Sequence, residues 1–126
     1  MKWEANRKYD HDRAGEPRWS EEAIAAVGGE SQVKRAGGIS DYQGWGALLT
    51  HDNRVLAWYY GSCGGCDAYE DLGREKLGHQ YYDLPYEERR KVEFNSVVES
   101  LRNDIETFAS AEAAEARFVE AIECGW

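Results

Sequence analysis

Proline is scarce in this chain, with only Pro17 and Pro85 among 126 residues. A proline-rich linker or polyproline recognition segment is therefore excluded. No apolar run approaches the roughly 18 residues that a membrane-spanning helix needs. The opening MKWEANRKYDHD carries charges where a secretory signal needs its apolar segment, so an intracellular, cytoplasmic protein is expected. Cysteine is limited to three, an odd count that suits a reducing compartment better than a disulfide framework. No P-loop, dinucleotide fingerprint, nucleophile elbow or H-E-x-x-H is present, which removes the enzyme classes built on those motifs.

A basic patch is missing as well. The net charge is −9. Residues 1–18 hold five basic and four acidic side chains, residues 19–84 five and ten, and residues 85–126 again five and ten. Nothing here tracks a phosphate backbone, so direct nucleic-acid binding is not expected. An acidic surface serves solubility first and a basic partner second.

What is present reads as an ordinary globular chain. At 14.3 kDa, with 42% hydrophobic and 31% charged residues, residues 1–126 are expected to form a single domain. Residues 1–16 lack apolar periodicity and read as an N-terminal arm pinned by Trp3 and Tyr9. In PRWSEEAIAAVGGE, Ser20 is an N-cap candidate, Glu21 and Glu22 suit the first turn, and Trp19 and Ile24 sit at staple positions. Gly28 and Gly29 end that helix.

Residues 43–61 predict a β-hairpin, QGWGALLT and RVLAWYYG joined by the turn residues HDN. Val55, Ala57 and Tyr59 alternate with Leu56, Trp58 and Tyr60, so both faces of the second strand are apolar and both should be covered. Gly44 and Gly46 are costly in a strand unless a bulge or close contact uses them. After DAYEDLGREKLG, a candidate short helix, Pro85 with Glu87 and Glu88 opens the clearest helical signal. Phe94, Val97, Val98, Leu101, Ile105 and Phe108 recur at helical spacing, predicting a helix over about 85–108. Ser110 caps a second, over about 111–123, with Ala111, Ala114, Phe118, Ala121 and Ile122 facing inward. The expected fold is α+β: a small antiparallel sheet built on the hairpin, packed against the two C-terminal helices as a helical hairpin.

The segment YYGSCGGCDAYEDL admits three readings. A strand, C-x-x-C and a helix in that order suit a redox dithiol, because a helix N-terminus lowers a thiol pKa. Asp67, Glu70 and Asp71 oppose a thiolate there, and Pro85 is poorly placed to face it. A zinc site would take Cys63, Cys66 and Cys124 with His79, His51 or His11, but no second C-x-x-C completes the ligand set. The reading that the residues favour is a glycine-rich corner holding small buried cysteines, with no cofactor.

Two further groups stand out. Asp41, Tyr42, Trp45, Trp58, Tyr60 and Asp67 surround the hairpin and offer a pocket where rings would stack a nucleotide-like ligand. Against this, aromatics on strands mostly serve the core, and Asp41 and Asp67 suit local capping. Lys34, Arg35, Arg54 and Arg74 would have to converge before phosphates were tolerated there. Glu99, Asp104, Glu106, Glu112, Glu115 and Glu120 are expected on the C-terminal helices, where they would steer a basic protein partner.

Taken together, GGISDYQGWG and YYGSCGGCDAYED resemble a pair of segments in small phage and bacterial proteins, of the form ISDYQG, a hairpin, then GSC-x-GCD. The resemblance covers about residues 37–72. It implies a small intracellular protein, phage-encoded in context, whose role is interference with a host system. With no catalytic set in view, a non-enzymatic inhibitor of a host defence protein is the expected function, and a nucleotide-sequestering protein the alternative.

Overall fold

The computed structural model describes residues 1–4, 16–38, 44–60 and 77–124, and these form an α+β fold. Its elements are β1 (Trp3–Glu4), α1 (Ser20–Ala26), β2 (Val33–Gly38), β3 (Gly44–Thr50), β4 (Arg54–Tyr60), α2 (Gln80–Asp83), α3 (Tyr86–Arg102), β5 (Glu106–Thr107) and α4 (Ala111–Cys124). The five strands lie in sequence order across one sheet.

The hairpin forms where the apolar runs predict it, with Gly44 opposite Tyr60 and Leu49 opposite Val55. Its turn closes with Asn53 at φ 64°, a left-handed conformation that Asn tolerates. Thr50 is buried beside the turn, and its Oγ1 accepts the Arg54 N–H at 2.9 Å. The sheet is mixed rather than wholly antiparallel, because β1 runs parallel to β2. Parallel neighbours need a crossover, and α1 lies in the connection that supplies it.

Alternation along the strands sorts the core into two clusters, one on each face of the sheet. On one face Ala36, Leu48, Leu56, Trp58 and Tyr60 meet Ala23, Ala26 and Val27 of α1 and Val97, Val98 and Leu101 of α3. On the other, Ala47, Leu49 and Val55 meet Ala114, Phe118, Ala121 and Ile122 of α4. Both faces of β4 are thus covered, as its sequence predicts. The expected helical hairpin is not what forms: α3 and α4 pack on opposite faces, each against strand side chains.

Helix α3 also stops at Arg102, short of the expected 108. The Asp104 N–H turns back to the Leu101 carbonyl at 3.0 Å, and β5 then pairs Glu106 with Val55 and Thr107 with Arg54. The Phe108 N–H continues that pairing to the Asn53 carbonyl at 2.9 Å. Ile105 and Phe108 keep a helical spacing in sequence but serve different cores, Ile105 with α1 and α3, Phe108 with α4. A strand that steps across the sheet edge delivers them to opposite faces.

At α1 the reading of Ser20 changes too. Trp19 holds the cap position at φ 68°, and Ser20 is the first helical residue, its buried hydroxyl donating to the Glu16 carboxylate. Gly28 and Gly29, at φ 106° and 110°, end the helix as expected. Ser110 caps α4, accepting the Ala113 N–H at 3.2 Å. Ala111, expected to face inward, is exposed at the start of that helix.

Two glycines admit close contacts, Gly46 within the sheet and Gly37 between the sheet and α4. A Cβ on Gly46 would stand 2.3 Å from the Trp58 ring, and one on Gly37 would stand 2.1 Å from Cδ1 of Ile122. The first is the close contact that justifies a glycine in β3.

Candidate functional site

Trp45 does not share a face with Trp58 and Tyr60. Trp45 projects to the α4 face, where its Nε1 donates to the Ile122 carbonyl at 3.1 Å. Trp58 projects to the α1 face, its Nε1 donating to the Arg18 carbonyl at 2.8 Å. Tyr60 is buried on that same face, edge-on to Trp19 at 6.4 Å between ring centroids, with the Arg18 guanidinium 5.8 Å from its own. In the β3–β4 register, odd residues face α4 and even residues face α1. Asp41, Tyr42, Asp67, Cys63, Cys66 and Arg74 lie outside the described residues. Cys124 ends α4, and His51 and His79 are exposed. Among the described residues no three His, Cys, Asp or Glu side chains gather as metal ligands.

Of the named cations, Arg35 and Arg54 are each engaged by acids. The Arg35 guanidinium grips Glu4 with Nε and Nη2 at 2.9 and 2.7 Å, and reaches Glu115 with Nη1 at 2.7 Å. It lies 4.8 Å from the Phe118 ring centroid, a cation–π contact that roots it on α4. Hydrogen bonding to Arg35 holds the Glu4 carboxyl below its ordinary pKa and raises that of Arg35 itself. Arg54 bonds Asp52 at 2.9 Å and the Val27 carbonyl at 2.9 Å. Hydrogen bonds from Thr50 and then Arg54 lower the Asp52 pKa.

Of the six acids, Glu106, Glu115 and Glu120 are seen in ion pairs with arginines. Glu115 holds Arg35, while Glu106 and Glu120 share Arg117 at 3.0 and 3.3 Å. Glu99 and Glu112 are exposed on α3 and α4. Asp104 is exposed where α3 turns toward β5, and there it enters the most suggestive cavity of the protein.

That cavity is a groove of about 410 Å³ at the outer edge of β4. Leu101 and Trp58, both buried, lie at its base. Trp19 and Tyr59 supply aromatic wall, and Tyr59 is 45% exposed. Asp104 and Glu106 supply charge, and among the described residues no cationic side chain lines it. The C-terminal end of α3 opens beside it at Ser100 and Leu101, adding the negative end of a 17-residue helix dipole. Acids, a helix C-terminus and aromatic faces together favour a cation, a guanidinium above all. They offer nothing to a phosphate.

Sequence reasoning named Trp58, Asp104 and Glu106 separately, in two different groups, and it missed Ala57 and Ser100. The strand lengths held the missing signal: β4 is seven residues long, and its partner β5 covers two. That inequality depends on where α3 ends, which periodicity placed too late.

Comparison with protein-family models, curated proteins and solved structures finds no match to this chain. Among the described residues no helix is long and apolar enough to cross a membrane.

Proposed function

We propose that this chain is a small acidic binding protein, not an enzyme, that engages a host protein with a basic surface in the cytoplasm. The specific form we propose is a phage-type inhibitor of bacterial defence, the context implied by the ISDYQG and GSC-x-GCD segments. One observation carries the binding reading: the β4-edge groove, which gathers acids, a helix C-terminus and aromatic walls, with no lining cation among the described residues. The nucleotide reading has less to stand on. Trp45 faces away from Trp58 and Tyr60, and Arg35 and Arg54 are engaged by acids.

The reading requires no cofactor. Metal analysis of purified protein tests that part, because one zinc per chain would make Cys63 and Cys66 half of a structural site instead. The partner reading is tested by capture from bacterial lysate, followed by titration of the identified protein against wild type and Asp104→Lys. A basic partner whose affinity falls with salt and with the charge reversal supports the proposal. A partner indifferent to both removes it.

A further inference from the structure

We infer that the groove is filled by an incoming β-strand: an arginine-bearing extended segment of the partner adds to the outer edge of β4 at Ala57, its guanidinium beside Asp104. This deepens the binding reading and rests on it.

The strand geometry supplies the first argument. In an antiparallel sheet, successive residues direct their N–H and C=O groups to opposite neighbours. Arg54 directs its N–H toward β3, to Thr50 Oγ1, whereas the Asn53 carbonyl accepts from Phe108 on the outer side. Val55 and Ala57 therefore direct their backbone groups outward with Asn53. β5 serves Val55 through Glu106. It has no residue opposite Ala57, because the Asp104 N–H is spent on the Leu101 carbonyl. Ala47 partners Ala57 on the β3 side, and among the described residues no strand residue pairs with Ala57 on the outer side. A short edge of this kind is a template for another strand.

Charge selects the strand. Asp104 and Glu106 stand on the groove with the α3 C-terminus, and the aromatic wall offers a ring face to a planar cation. Arginine fits better than lysine because its fork meets a carboxylate bidentately and stacks. A second copy of this chain is disfavoured on the same ground. Two β4 edges paired about a twofold axis would bring two Asp104 carboxylates and two helix C-termini together.

The probe is a capped hexapeptide alternating arginine and valine, titrated at low salt with amide chemical shifts as readout. Three companions accompany it: the glutamate-for-arginine peptide, the same arginine peptide methylated at alternate backbone nitrogens, and the Ala57→Pro protein. Proline removes the outward N–H from an edge position, the place where a strand tolerates it. Ala57→Pro is used only if its thermal unfolding and amide spectrum show the fold intact; Asp104→Arg, an exposed change, serves in either case.

The inference predicts binding of the arginine peptide alone, with shifts centred on Ala57, Asp104 and Glu106. It also predicts a loss of roughly tenfold in affinity on backbone methylation or on Ala57→Pro. Equal affinity for the methylated peptide would overturn strand addition while leaving electrostatic partner binding in place. No binding of the arginine peptide at about 1 mM, the weak end of recognition, would remove both. A concentration-dependent dimer dispersed by Asp104→Arg would assign the edge to a second copy and overturn the inference.

Discussion

The two edges of the sheet use the same device to different ends. At each, a two-residue strand is fastened by an arginine bonded to an acid on that strand: Arg35 to Glu4 of β1, and Arg117 to Glu106 of β5. Around β1 the lining of the neighbouring groove includes Lys2, Lys34 and Arg35 beside Glu4 and Glu30, so positive and negative charge are mixed. Around β5, Asp104 and the end of α3 add negative charge, and among the described residues no cation lines the groove. An arginine clamp closes an edge electrostatically only where no further charge of one sign is left beside it. The first edge is a structural seam, and the second is the edge proposed above for recognition.

Breaking the seam should cost most. Phe118 is fully buried under Arg35, and Phe118→Ala should destabilise the protein by about 3–5 kcal/mol, read from urea unfolding. A loss below about 1 kcal/mol would mean that the α4 core is not what holds this edge.

Arg35→Ala should cost less, about 1–2 kcal/mol, because Arg35 and both partners are roughly a third or more exposed and water screens them. The same variant sharpens the comparison through pH. Glu4 has a folded pKa held below its ordinary 4.5 by the Arg35 hydrogen bonds. A depressed carboxylate contributes in full above its unfolded value and loses that contribution as pH falls through the folded one. Stability should therefore fall below about pH 4.5, and the part owed to Glu4 should vanish in Arg35→Ala. Identical acid profiles for the two proteins would remove Glu4 from the seam.

At the open edge the expected stability effect is smallest. Asp104→Asn should change unfolding free energy by no more than about 0.5 kcal/mol, since the side chain is exposed at a turn. Its affinity for the arginine peptide should nevertheless drop, and drop less at high salt. A destabilisation approaching that of Arg35→Ala would show that both edges are seams.

Particular residues show what was legible in advance. The β3–β4 hairpin and its double-sided burial could be read from RVLAWYY, because alternation with apolar residues on both phases admits one arrangement. Ser110 and the glycine pair after α1 were equally readable, being local chemistry. β2 was not, since VKRAGG has two cations, two glycines and no alternation. Gly37 earns its place only by admitting Ile122, a residue 85 positions away. The groove was half legible: its acids were named, but their meeting with Trp58 and Ala57 was not.

The amino-acid sequence by itself determined the charge, the hairpin, the starts of the two C-terminal helices and the Ser110 cap, because these follow from composition and from neighbours within a turn or two. The tertiary structure alone decided which face each helix covers, where α3 yields to β5, and how much of β4 is left open. Those outcomes turn on competition between helical spacing at Ile105 and Phe108 and strand pairing at Val55. Periodicity cannot see that competition, because the β4 residues that win it lie some 50 positions earlier in the chain.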